Sequence, residues 1–313
     1  MNELLALIFN LNTLAAALRM ATPLALAAMG GAFSERAGII NLGLEGLILT
    51  GAFAGVLGSY YSSLPWLGVL LAMIAGGGFA ALFALFTIRF KADQVVAGVG
   101  LNMLALGLTT WLMQVLWGSR GSSPNVNGLP EITIPLLGRL PLVKVFFIEQ
   151  SPLVLIMLVV IIAGWYLLFK TPLGLRIRMT GDHPTAADTV GINVRAIQYF
   201  CVIFSGVLAG LGGAYLSLGH LNWFSVNMSA GRGYMALAAN IFGQWNPLGG
   251  FAASLLFSFT DAVQMRLQGL NLSIANELIQ MLPYLLTIVV LAGAVLRSRP
   301  PEALGKQNQG GDE

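Results

Sequence analysis

The chain has 313 residues, 57% of them hydrophobic and only 9% charged, with a formal net charge of +3. Soluble domains carry about 25% charged residues, so the composition excludes a soluble globular protein and points to an all-α, polytopic membrane helix bundle. A single cysteine, Cys201, excludes an intrachain disulfide framework. His183 and His220 are far apart in a sequence without CxxC, which argues against a metal site, and the thinly spread basic residues do not form a nucleic-acid surface.

A membrane span needs roughly 20 mostly apolar residues. Residues 4–33 are apolar except for Arg19. They read as one long, broken helix, or as a surface helix followed by a span, with Pro23 favouring a break or kink and the N-terminus retained as a first span or an interfacial helix. Residues 46–88 lack Asp, Glu, Lys and Arg and are long enough for two spans around a turn at Tyr60–Pro65. Single spans follow at 94–117, 152–169 and 197–218. Residues 233–260 hold two more, broken by GQWNPLGG at 243–250, and 277–296 is the last. The expected total is about nine transmembrane helices, within a range of roughly eight to ten.

The Lys/Arg-bearing stretches at 170–196, at Arg89–Lys91 and in the tail (Arg297, Arg299, Lys306) fall on one side, which the positive-inside bias makes the cytoplasm. Loop 118–150 then faces outward. Residues 1–297 form a single transmembrane domain, and 298–313 a polar, disordered cytoplasmic tail.

Residues 30–46, GGAFSERAGIINLGLEG, place Glu45 at the edge of a span, where an ionisable group costs about 3 kcal/mol. Asn41 and Glu45 are four apart and would share a helix face. Gln94, Gly98 and Asn102 follow at i, i+4 and i+8, and Asn240 and Gln244 repeat the spacing. Such faces must point at protein or water. Two readings compete: the amides line a solute pathway, or they bond helix to helix. The segments beginning at Ala37–Gly38 and Ala230–Gly231 read either as halves of an inverted repeat or as glycine-rich runs of like composition. The Gly206-x-x-x-Gly210 pattern reads as close helix packing.

Loop 170–196 is too long for a simple turn. Asp182 or Thr185 is expected to cap a short helix through Ala186, Ala187 and Asp188, stopped by Gly191. Flanked by Arg176, Arg178 and Arg195, it suits docking on a soluble partner; otherwise it lies on lipid headgroups. There is no Walker A pattern, HExxH or GxSxG, so the chain carries no recognisable hydrolytic site.

Residues 30–53 (GGAFSERAGIINLGLEGLILTGAF), 93–109 (DQVVAGVGLNMLALGLT), 173–194 (LGLRIRMTGDHPTAADTVGINV) and 231–247 (GRGYMALAANIFGQWNP) resemble the transmembrane permease subunits of bacterial ABC importers for sugars, branched-chain amino acids and nucleosides. The nucleoside-type permeases are the nearest match, over roughly residues 13–297. The resemblance implies a transport subunit, not an enzyme, in the bacterial cytoplasmic membrane. It also implies a second related permease, ATP-binding subunits that carry the ATP, and an extracytoplasmic solute-binding protein or lipoprotein. No cofactor is expected in this chain.

The motif at 173–194 carries Arg176, Arg178, Asp182, Pro184, Ala186, Ala187 and Gly191 over as the contact with the ATPase. Asn41, Glu45, Asn102 and Asn240 match polar positions of the family's membrane motifs, and with Gln94 and Gln244 they are the candidate pathway residues. Trp111, Trp117 and Phe242 are candidates to stack on a nucleobase. A ribose-like sugar is the second solute and a branched-chain amino acid the third. The rival of another class is an ion-coupled secondary transporter using Glu45, Asp261 or Glu277, and a membrane-embedded enzyme lacks a catalytic constellation.

Overall fold

The computed structural model describes residues 10–131, 150–269 and 300–306, together with Leu278, Met281, Leu285 and Ile288. Among the described residues there are ten α-helices and no β-strand. They are α1 (Leu11–Arg36), α2 (Leu44–Ser62), α3 (Pro65–Ala84), α4 (Gln94–Trp117), α5 (Pro152–Lys170), α6 (Pro172–Asp182), α7 (Pro184–Thr189), α8 (Val194–Ala214), α9 (Arg232–Phe242) and α10 (Pro247–Gly269). Single π-helical turns extend α3 to Arg89 and α8 to Leu221.

Sequence punctuation explains most boundaries. Pro65, Pro152, Pro172, Pro184 and Pro247 all open helices, where a missing N–H costs nothing. Asp93 caps α4 by accepting from Val95 and Val96 N–H, each at 2.9 Å, and Asn193 caps α8 through Ala196 N–H at 2.9 Å. The expected turn at Tyr60–Pro65 is present, with Ser63 in a left-handed conformation (φ 57°) after α2. At Pro23 the expectation of a break is corrected: α1 is one continuous helix of 26 residues. The adjacent Thr22 hydroxyl bonds the Leu18 carbonyl at 3.0 Å, one of the ways a membrane helix tolerates proline.

Among the described residues, five helices are long and apolar enough to cross a membrane: α1, α3 and α8 with their extensions, α4 and α5. The count of about nine spans is therefore not reproduced. One reason is α9, whose 11 residues reach only about 16 Å, half of the hydrocarbon core. The last expected span, 277–296, lies outside the described residues except for Leu278, Met281, Leu285 and Ile288.

Helices α1, α2 and α8 form the buried centre, with α3 against α2 and α8 on one side and α9 and α10 against α1 on the other. The Gly206/Gly210 pattern sits where α8 meets α3. A Cβ on Gly76 would lie 2.9 Å from the Gly210 Cα, so the backbones touch as that spacing allows. Helix α4 lies at the edge, mostly exposed, and packs on α2.

Two stretches expected to be independent are tied down. Residues 121–129 pair with 218–226 through bonds such as Ser123 N–H to Phe224 O and Leu129 N–H to Leu218 O. Residues 300–306, expected to be disordered, run across the end of the bundle: Ala303 N–H bonds Gly181 O at 2.9 Å, and Gly305 N–H bonds Gly38 O at 3.1 Å.

Candidate functional site

The polar residues converge where the segment joining α1 to α2 runs along α4 and meets the start of α9. Residues 37–43 are not helical, because Gly38 (φ 92°) ends the α1 exit and the segment turns inward. The expected Asn41–Glu45 helix face is thereby corrected: Asn41 precedes α2, and Glu45 lies in its first turn.

The face of α4 carrying Gln94, Gly98 and Asn102 does exist. Gln94 Oε1 accepts from Ile40 N–H at 2.8 Å. A Cβ on Gly98 would meet the Leu42 Cβ at 2.7 Å. Asn102 Oδ1 accepts from Gly46 N–H at 2.8 Å, and its Nδ2 donates to Leu42 O at 2.9 Å and to the Tyr234 hydroxyl at 3.0 Å. One amide face thus satisfies the irregular backbone at Ile40 and Leu42 and a first-turn N–H of α2 at Gly46, groups that at membrane depth have to find their partners within the protein.

Glu45 stands between two helix starts. Its Oε1 accepts from Gly231 N–H at 2.8 Å and its Oε2 from Gly233 N–H at 2.7 Å, so it fills the amino end of α9 from the first turn of α2. Anionic oxygens at such an end are favoured by the unpaired N–H groups and by the helix dipole. Asn41 is fully buried, donating to Ser205 Oγ at 3.1 Å and accepting from Gly43 N–H at 3.2 Å.

A second carboxyl group, outside the candidate pathway residues read from the sequence, organises the other end of α9. The buried Glu35, at the close of α1, accepts from Asn240 Nδ2 at 2.7 Å and from the Trp245 indole N–H. Its neighbour Arg36 donates to Trp245 O at 2.9 Å and to Gln244 O at 3.0 Å. The pair clamps a turn whose Gln244 and Trp245 are both left-handed (φ 54° and 53°). The motifs SERAG and FGQWNP are therefore two halves of one contact, a relation that neither motif signals alone. Gln244 lies beyond α9 and is exposed, so the expected Asn240/Gln244 face is corrected.

Of the expected stacking aromatics, Trp117 packs edge-on against Phe53 and Tyr60, Phe242 packs against Phe257, and Trp111 is exposed.

Loop 170–196 is two helices and a turn. The expected short helix is present as α7, with Gly191 (φ 80°) just beyond it. Its cap is corrected: His183 holds the N-cap without a side-chain bond, Asp182 ends α6 and Thr185 lies within α7. Arg176, Ala186 and Gly191 are exposed; Arg178, Asp182 and Pro184 are half-buried; Ala187 is buried within the chain's own fold. Arg178 lies over the Phe169 ring at 5.2 Å, and Arg36 lies 5.6 Å from the same ring.

Residues 13–291 match the branched-chain amino acid transport system / permease component family. The chain belongs to that family. The permease is thus a transport subunit rather than an enzyme, and a multi-pass membrane protein.

It is 41% identical to the guanosine ABC transporter permease protein NupQ of Bacillus subtilis, over 93% of this chain and 94% of that one. It is 40% identical to the nucleoside ABC transporter permease protein NupC of Lactococcus lactis, over 91% and 92%. A Haloferax volcanii chain described as a glucose ABC transporter permease protein, TsgC13, is 36% identical over 93% of each. Among solved structures, an inward-facing metal-chelate type ABC transporter shares the permease's fold with a TM-score of 0.51 and 17% identity, over 91% of this chain and 86% of that one.

Proposed function

We propose that this chain is the transmembrane permease subunit of an ATP-driven importer that carries nucleosides across the bacterial cytoplasmic membrane. The observation that carries the reading is identity of 41% and 40%, over nearly the whole length, to permeases named for guanosine and for nucleosides. The geometry supports it. Helix α9 starts partway through the bundle, beside a polar cluster, an arrangement that in transporters accompanies a solute site near the midplane.

In this reading Asn102 stands at the pathway, and Asn41, Glu45, Gln94 and Asn240 hold its wall. Amides suit a nucleoside because they both donate to and accept from ribose hydroxyls and base edges. ATP binds on separate subunits that dock against α7. Their closure pushes α6 and α7 and, through the clamp at Glu35–Arg36, tilts α9 between outward-open and inward-open states. A second permease and an extracytoplasmic solute-binding protein or lipoprotein complete the importer.

The test is uptake of labelled guanosine by cells that carry or lack this gene, with unlabelled nucleosides, ribose, glucose and leucine as competitors. Only nucleosides should compete, and uptake should cease when the ATP-binding subunit is inactivated. Competition by sugar alone would favour the sugar reading that the 36%-identical relative suggests. Uptake driven by an ion gradient without that subunit would overturn the ATP-driven reading.

A further inference from the structure

Tyr234 takes no part in either clamp on α9, yet it lies next to the one that Glu45 makes at the helix start. It is the third residue of α9, one position beyond Gly233, whose N–H is bound by Glu45. The residue is 45% exposed, and its hydroxyl accepts from Asn102 Nδ2 at 3.0 Å. Asn102 is in turn fixed by two backbone bonds, to Gly46 and Leu42. The tyrosine is thus an accessible ring oriented by an immobile amide.

Depth decides what the ring can face. Tyrosines at the headgroup level are ordinary interface anchors. Asn102, however, is eight residues into α4, about 12 Å along the helix, and Tyr234 meets it at the broken end of a half-helix. An exposed hydroxyl–amide pair at that depth is not stable against lipid and needs water or protein. The aromatic face is sequence-tolerant toward any flat heterocycle. With its oxygen occupied by Asn102, the hydroxyl's own proton remains for a further acceptor.

We propose that Tyr234, oriented by Asn102, is the residue on which the nucleobase of the solute rests during passage, and so the residue that grades solutes by the size of their ring. The proposal rests on the nucleoside reading above.

The experiment measures uptake of guanosine, cytidine and ribose by cells expressing the complete importer with Y234, Y234W, Y234L or Y234M, with membrane levels and ATPase co-purification recorded for each. Wild type must import nucleosides; import of ribose instead would sink the nucleoside reading, whatever the variants do. Given nucleoside import, Y234L is expected to raise the KM for guanosine about tenfold, since a stacked base is worth roughly that much or more. It should raise the KM for cytidine less, collapsing the preference, whereas Y234W should keep it. Y234M gives the same readout if Y234L does not assemble. A packing contact with the second permease would lower uptake of all solutes by one factor without changing their ratio, and that result overturns the proposal. So does labelling of the wild-type complex by an 8-azidopurine nucleoside that lands away from the peptide containing Tyr234.

Discussion

The Glu35 carboxylate accepts the Trp245 indole N–H, a bond between residues 210 positions apart that joins the end of α1 to the turn between α9 and α10. Arg36 takes the Trp245 carbonyl at 2.9 Å, so consecutive residues of α1 grip both the side chain and the backbone of one tryptophan. With Glu45 holding the other end of α9, the half-helix is fastened at both ends by carboxyl groups, one from the last turn of α1 and one from the first turn of α2.

Trp245→Phe should destabilise the protein while retaining most of the ring's packing. Removing the indole N–H leaves a buried carboxyl oxygen without that partner, which costs about 1–3 kcal/mol. Thermal unfolding in detergent should fall by several degrees. A double-mutant cycle with Glu35→Gln should be clearly non-additive, because both changes act on one contact. Additive shifts would mean that the two residues act independently.

Glu45→Gln leaves one acceptor for two N–H donors. Assembly should persist, with a loss of about 1–3 kcal/mol in thermal stability and a reduced uptake rate. Gly233→Ala should be more severe, since its Cβ would meet the Leu44 carbonyl carbon at 2.8 Å and push α9 off α2. Membrane yield and size-exclusion profiles separate the two outcomes. Normal yield for Gly233→Ala would contradict the close approach.

Val190 and Ala186 are exposed on and beside α7, whereas Arg178 is half-buried over Phe169. Val190→Asp or Ala186→Arg should therefore abolish co-purification of the ATP-binding subunit without changing the melting temperature. Arg178→Glu should lower the melting temperature itself. If Arg178→Glu loses only the partner, the ring contact is unimportant to the fold.

Truncation after Arg299 removes the bonds from Ala303 to Gly181 and from Gly305 to Gly38. Hydrogen exchange should quicken around 36–40 and 179–183. Solute-stimulated ATP hydrolysis should fall more than basal hydrolysis, because the strap ties α6 to the segment that leads into α2 and Glu45. Unchanged exchange at both places would show that the strap bears no load.

The face of Gln94, Gly98 and Asn102 was legible because a helical repeat displays itself in the spacing of amides. The short helix before Gly191 was legible from that glycine as its stop, though not from its cap, which falls at His183. The Asn41–Glu45 face was not, because four-residue spacing carries meaning only if the chain between is helical, and residues 37–43 are turns and irregular backbone beside α4. Glu35 was overlooked as a site because a charge next to an arginine at a helix end looks like a solvated pair. Its burial arises only once α9 and α10 cover it. Tyr234 carried no signal at all, being one aromatic in an apolar run.

The sequence by itself determined the membrane class, the edges of the long helices and the family, since these depend on local hydropathy, on proline and glycine, and on ordered motifs. Only the tertiary structure decided what each polar residue does. A buried amide or carboxylate takes its partner from whichever backbone packs against it, and for Gln94, Asn102, Glu45 and Glu35 that backbone or side chain lies between 54 and 210 positions away in the chain.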